Sequence, residues 1–320
     1  MPRRLALFLS VLVGAALVST PAAARNRPAG KLVPRTGALF GAHVDPDGRP
    51  QDLRSGPRQI RRFERRIGRK LDVDHHYYDW TDVFPTRFER WDLANGRIPL
   101  ISWHGPRLVR ILNGSYDRMI AARARGIAAL RRPVFLRWCW EMNGHWSRCG
   151  GAGNGRRRGP ARFVAAWRHL HDIFVHEGAT NAVWVWSPYA QDLPARGWNH
   201  WTRYYPGDAY VDWVGIDGFG TPPWSDRSFQ QIFGPVYADY AERRPIMIAE
   251  ISTLEDGTGR KAMWFTNAHL DIVGAFPSIA AVVWFDTVTG GRNWRVDSSR
   301  SAFAAFVAMA QDPYFRTRPS

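Results

Sequence analysis

Short apolar runs alternate eight times with amphipathic stretches along this chain, and few folds accommodate that rhythm. The candidate strands are Ala38–His43, Leu71–Tyr77, Ile98–Trp103, Val134–Trp140, Ala182–Trp186, Trp213–Asp217, Ile246–Ala249 and Ile279–Phe285. Each is rich in β-branched, aromatic or leucine residues, and most follow glycine or proline, as buried parallel strands do. Between them, apolar residues recur three and four apart: Ile60, Phe63 and Ile67; Phe163, Trp167, Leu170 and Phe174; Ile232, Val236 and Tyr240; Phe303, Phe306 and Met309. That spacing marks the core-facing stripes of helices, so the arginine-rich run 61–69 is read as the wet face of the first helix. Eight β–α alternations predict an α/β fold of the (β/α)8 TIM-barrel type, as one domain over residues 37–320. A doubly wound open sheet would usually show a glycine fingerprint between a strand and a helix, and no G-x-G-x-x-G opens a helix here. Gly150-Gly151-Ala152-Gly153 follows the loop after the fourth strand and reads as a flexible turn.

Residues ahead of that domain read differently. Arg3 and Arg4, an apolar stretch from Leu5 to Val18, and Ala22-Ala23-Ala24 have the layout of a secretory signal peptide, assigned to residues 1–24. The apolar stretch is short for a membrane span, so export is expected over a retained anchor. Residues 25–36, rich in proline, arginine and glycine, read as a flexible linker.

The formal net charge of +16 is mostly arginine dispersed over many segments. Nucleic-acid binding would call for a basic stripe or a known motif, and neither is visible, so no nucleic-acid partner is expected. Weak attraction to acidic wall polymers is compatible with the charge. The two cysteines, Cys139 and Cys149, suggest one disulfide in an exported protein, the alternative being two unpaired thiols. No metal-ligand set with characteristic spacing is apparent, and no cofactor is expected.

In a barrel of this kind the site lies at the C-terminal strand ends. Asp45, Asp79, Glu141, Asp217, Glu250 and Asp286 fall at or just past such ends, as do His43 and His104. Aspartates there are commonly caps or turn formers. Glu141 and Glu250, after strands four and seven, are less well explained locally, and two carboxyls are what glycosidic cleavage requires. Trp80, Trp103, Trp146, Trp224, Trp284 and Trp294 lie near strand ends or loops and could stack on sugar rings; Trp167 and Trp184 read as core.

These residues resemble a known family. Trp140-Glu141-Met142-Asn143-Gly144-x-Trp146 looks like the acid/base motif of glycoside hydrolase family 26, and Ile248-Ala249-Glu250 like its nucleophile strand. Asp212–Gly220 and Val282–Phe285 resemble the family's sixth and eighth strands. The resemblance implies a secreted, retaining endo-β-glycanase, most often a β-1,4-mannanase, with relatives acting on mixed-linkage β-glucan or β-1,3-xylan. It would make Glu141 the acid/base and Glu250 the nucleophile. It would place Trp284 under the sugar at the cleavage point, with His104, Asn143 and Trp146 lining the cleft. Two positions depart from the family pattern: Trp140 stands where histidine is usual, and Phe219 where tyrosine is common. Both remove polar groups from the expected sugar-binding centre.

Local chemistry agrees with those roles. A general acid needs a raised pKa, and Trp138, Trp140 and Trp146 are near Glu141 in sequence. A nucleophile must stay ionised, and Arg137, which shares strand parity with Glu141, could provide the positive charge, buried barrel packing being an equal reading. Two competing classes remain: a metal-dependent hydrolase, suggested by His43-x-Asp45 and His75-His76, and a non-catalytic glycan-binding barrel, suggested by Trp140 and Phe219.

Overall fold

A computed structural model describes residues 27–45, 55–221 and 227–318. Eight parallel strands run in sequence order: β1 Leu39–Asp45, β2 Val73–Tyr78, β3 Ile98–Trp103, β4 Val134–Trp138, β5 Ala182–Trp186, β6 Trp213–Gly220, β7 Ile246–Thr253 and β8 Ile279–Thr289. Pairing of β1 with β8, from Leu39 opposite Ala281 to Asp45 opposite Thr287, closes them into a barrel. The outer helices are α1 Gly56–Ile67, α2 Arg87–Ala94, α3 Val109–Leu112, α4 Asp117–Ala128, α5 Gly159–His176, α6 Phe229–Tyr240, α7 Arg260–Gly274 and α8 Arg300–Ala310. A two-residue strand, β9 Arg292–Asn293, folds back on β8. The TIM barrel expected from the eightfold rhythm is the observed architecture.

Two apolar layers result from the period-two alternation of the strands. Leu39, Val73, Leu100, Phe135, Val183, Val185, Trp213, Met247 and Val283 fill the barrel interior. The opposite strand faces pack against the helical stripes, which bury Ile60, Phe63, Ile67, Phe163, Trp167, Leu170 and Phe174 as their spacing predicts. Strands β6, β7 and β8 run three or four residues past their sequence-based ends.

Residues 1–24, expected from sequence to be a signal peptide, lie outside the described residues, as do Arg25 and Asn26. The remainder of the expected linker is not free. Leu32 and Val33 are buried with the interior layer. Arg27 donates to the carbonyls of Gly37, Pro277 and Ile279, and the Trp213 indole N–H donates to the Lys31 carbonyl. Proline and glycine made this segment look like a spacer, but its two apolar residues plug the open base of the barrel. Among the described residues, no helix is long and apolar enough to cross a membrane.

Candidate active site

Successive inward positions of β2, β3 and β4 carry polar groups only toward the strand ends: His75 and Tyr77, Ser102, and Arg137. Arg137 is fully buried and is the hub. Its guanidinium donates to both oxygens of Asp217 at 2.8 and 3.0 Å, to Ser102 Oγ at 2.8 Å, and to Glu250 Oε1. Burial alone would make its charge costly, but the carboxylates of Asp217 and Glu250 outweigh that and raise its pKa above the ordinary value. The proposal that Arg137 supplies positive charge to Glu250 therefore has a direct contact behind it.

Glu250 reaches this hub through a β-bulge. Ile216 pairs with Ile248, but the next residue, Asp217, pairs with Glu250, so Ala249 is an extra residue in β7. Met247 and Ala249 belong to the interior layer and Ile248 and Ile251 to the outer one. Strict alternation would send Glu250 outward; the bulge turns it in.

Glu141 lies past the end of β4 on strained backbone. Cys139 and Glu141 both have positive φ, 48° and 54°, in the left-handed region where non-glycine residues cost about 1–3 kcal/mol each. The surroundings hold them there. The Glu141 N–H donates to the Ser187 carbonyl at 2.8 Å, and Cys139 is joined to Cys149 by a disulfide. The disulfide packs on Gly105, where a Cβ would approach Cys149 Sγ to 2.5 Å. Trp146 Nε1 donates to Glu141 Oε2 at 2.6 Å. The indole reaches it by lying over Gly144, where an added Cβ would sit 2.4 Å from the ring. That contact gives a physical reason for glycine and tryptophan two residues apart.

The carboxylate oxygens of Glu141, Asp217 and Glu250 all lie within 4.8 Å of one another. Burial, and secondly the charge of Glu250, push the Glu141 carboxyl up to about 8. The apolar tryptophan surround expected from sequence contributes otherwise. Trp138 faces away from the cleft, stacked on Phe163, while Trp146 acts on Glu141 by a hydrogen bond that opposes the rise.

Two hollows flank the pair. One, of about 350 Å³, is lined by His43, Asp45, Tyr77, Phe285 and Thr287 with Glu250. The other, of about 590 Å³, is lined by Asp79, Trp80, Trp146 and Arg148 with Glu141. His104 and Trp140 belong to both walls, their rings 4.3 Å apart. Burial lowers the pKa of His104, that of His43 to about 4, and that of His75 well below the ordinary value, so these imidazoles are neutral at pH 7.

Of the sequence-predicted site residues, Glu141, Glu250, His104, Trp140 and Trp146 meet at this cleft. Phe219 lies close by, its ring 5.7 Å from Phe285 and 5.0 Å from Trp294. Two do not line it. Asn143 is fully buried: its amide donates to the Tyr189 and Gln191 carbonyls and to Asp192, and its oxygen accepts from Tyr189 N–H. It clamps the loop after β5 and has no group left for a sugar. Trp284 is also fully buried, on the outer face of β8 against Phe265 and Phe306. Its neighbour Phe285 is the β8 ring that faces the hollow. Trp103 is core as well, stacked on Trp80, and Trp224 lies outside the described residues. The paired histidines split: His75 faces the cleft, whereas His76 bonds Asp92 of α2 behind the barrel wall, so the two cannot share a metal. His76, Asp74 and Asp92 form a separate buried group within mutual reach of one ion. Tyr77, Ser102, Ser187 and Phe285 were missed. For the first three, inward parity on strands whose ends had already been located was the available signal; β8 is apolar on both faces and offered none for Phe285.

The chain is 34% identical to Endoglucanase H of Acetivibrio thermocellus over 257 residues, which are 77% of this chain and 28% of that protein. It is 27% identical to Mannan endo-1,4-beta-mannosidase A and B of Caldalkalibacillus mannanilyticus over 239 residues, 72% of this chain and 40% of that one. The chain thus spans well under half the length of either relative. Among solved structures it is similar to Bacillus subtilis mannanase BCman, with a TM-score of 0.61 and 18% identity over 88% of this chain and 86% of that one. That likeness shows the barrel. The family profile of Glycosyl hydrolase family 26 matches residues 95–291, a span holding both Glu141 and Glu250, and the chain belongs to that family of glycoside hydrolases.

Proposed function

We propose that the chain is a retaining endo-β-glycanase acting first on β-1,4-mannan, with Glu141 as acid/base and Glu250 as nucleophile. The observation that carries this reading is the asymmetric pair. Two carboxyls lie within 4.8 Å, one pushed up to about 8 and the other hydrogen-bonded to a buried arginine. Retaining glycosidases hold their carboxyls about 5–5.5 Å apart, and inverting ones about 6.5–9.5 Å, leaving room for water.

The steps follow from those environments. Glu250 attacks the anomeric carbon as Glu141 delivers its proton to the leaving oxygen, giving a glycosyl ester on Glu250 and a free chain end. Glu141, now ionised, takes a proton from water, which attacks the same carbon and releases Glu250. Arg137 receives the carboxylate again at the end of the cycle. The hollows on either side of the pair leave space for sugars on both sides of the scissile bond, which favours internal cleavage. His104, Trp140, Trp146 and Phe285 supply rings and neutral polar groups to those spaces.

Mannan is placed first because Mannan endo-1,4-beta-mannosidases recur among the relatives. A β-glucan is the second reading, favoured by the 34% identity to Endoglucanase H. That name describes a protein more than three times as long as the matched part, so it does not displace mannan. The layout of residues 1–24 adds export to the proposal, which suits a polymer too large to enter a cell. The test is release of reducing sugar from mannan, mixed-linkage β-glucan, β-1,3-xylan and bacterial exopolysaccharides. Activity on one of these, lost in both Glu141→Ala and Glu250→Ala, supports the reading. Polymer binding with no reducing ends released would favour a glycan-binding barrel.

A further inference from the structure

We propose that Tyr77 is a positioning residue for the nucleophile, its hydroxyl fixing the Glu250 carboxylate for attack. The inference rests on the reading of Glu250 as nucleophile and adds to it a residue on a different strand. Tyr77 is the last inward position of β2 and lines the same hollow as Glu250. Its ring is wedged among His43 at 4.7 Å, His75 at 4.3 Å and Trp140 at 5.3 Å, with the Arg137 guanidinium 6.0 Å above it. Four neighbours on four strands or loops leave the phenol little freedom to point elsewhere.

The hydroxyl is buried and meets no partner in strict hydrogen-bond geometry. Such a group needs an acceptor, because an unsatisfied buried donor costs about 1–3 kcal/mol. The carboxylate that acts on it most strongly is Glu250. Of the other nearby polar groups, His75 Nδ1 is also buried without a partner, but with Nε2 facing the Arg137 donor the neutral imidazole carries its proton on Nδ1 and cannot accept. Arg137 is donor-only and engaged by Asp217, Glu250 and Ser102, and the His75 Nε2 faces Ser102 Oγ at 2.7 Å. Burial, then the charge of Glu250, raise the phenol well above its ordinary pKa, so it remains a neutral donor through the cycle.

The chemistry gives that donor a use. Arg137 holds Oε1 of Glu250, and a carboxylate gripped at one oxygen can still swing about its terminal bond. A second donor from a different strand fixes the plane, so that the attacking lone pair meets the anomeric carbon in line. During attack the Glu250 oxygen bonds carbon, the leaving oxygen departs with the Glu141 proton, and Tyr77 keeps its own proton.

The test compares the wild type with Tyr77→Phe, which preserves the ring packing. Both are treated with the dinitrophenyl glycosides of fluorocellobiose and fluoromannobiose, and the labelled peptide is mapped. Wild-type labelling at Glu250 establishes the nucleophile; labelling elsewhere, or none with either reagent, defeats the underlying reading and the proposal with it. Given labelling at Glu250, the expected result is a labelling rate and kcat about ten- to a hundred-fold lower in Tyr77→Phe, the range for hydrogen bonds to charged groups. KM should move much less, and the melting temperature should stay close to wild type. Labelling at the wild-type rate, or a loss confined to KM or to melting temperature, overturns the role of Tyr77 and leaves that of Glu250 intact.

Discussion

Replacing Glu141 by glutamine should cripple turnover and stabilise the protein, and the gain should depend on pH. The Glu141 carboxyl is raised from 4.5 to about 8, by burial first and by the Glu250 charge second. In the unfolded chain it titrates near the ordinary value, so at pH 7 folding requires uptake of a proton. Folded-state affinity for that proton exceeds the unfolded one, so stability falls as pH rises from about 4.5 to about 8. At pH 7 the cost is roughly 3 kcal/mol, and near pH 4.5 it disappears. Glutamine carries no proton to titrate and still offers an oxygen to the Trp146 indole N–H. Glu141→Gln should therefore melt on the order of 5–10 °C higher than wild type at pH 7, and at the same temperature near pH 4.5. Circular dichroism melts at the two pH values measure this directly. Activity on polymer should fall by about 10²–10⁴, the worth of general acid catalysis. A melting temperature unchanged at pH 7, or shifted equally at both pH values, would refute the claim that Glu141 is held protonated by burial and by its partner.

Three further outcomes follow from the same geometry. Wild-type kcat/KM should decline as pH rises through about 8, where Glu141 loses its proton, and that limb should vanish in Glu141→Ala assayed on aryl glycosides with activated leaving groups. Gly144→Ala should push the Trp146 ring off Glu141, seen as a change in indole fluorescence together with at least a tenfold loss of kcat, while the melting temperature changes little. Trp284→Ala should cost about 3–5 kcal/mol of stability from a filled core, whereas Phe285→Ala should spare stability and raise KM, because only the second ring faces the hollow.

The barrel was legible because eight strands alternating with helical stripes leave few alternatives. The carboxylate pair was legible because glutamate serves poorly as a cap at a strand end. What stayed hidden was direction. β8 is apolar on both faces, so alternation could not distinguish Trp284 from Phe285, and the resemblance pointed to Trp284, the ring that packs against the helices. β7 carries an extra residue at Ala249, so counting by twos would have turned Glu250 away from the site. Asn143 shows a different limit: an amide that could read sugar hydroxyls could equally hold the loop at Tyr189, and only the fold distinguishes these. Arg137 was found by parity because β4 is regular up to Trp138. The segment 27–36 was misread because two apolar residues among prolines do not look like a plug until the barrel base above them is known.

The central claim is that Glu141 and Glu250 act as acid/base and nucleophile in a double displacement, which leaves the anomeric configuration unchanged. Proton NMR of the first sugar released from the cleaved polymer, recorded before mutarotation, reads that configuration. With a double displacement the β anomer appears first and the α anomer grows in later. The α anomer appearing first would mean direct attack by water, and would contradict the role given to Glu250.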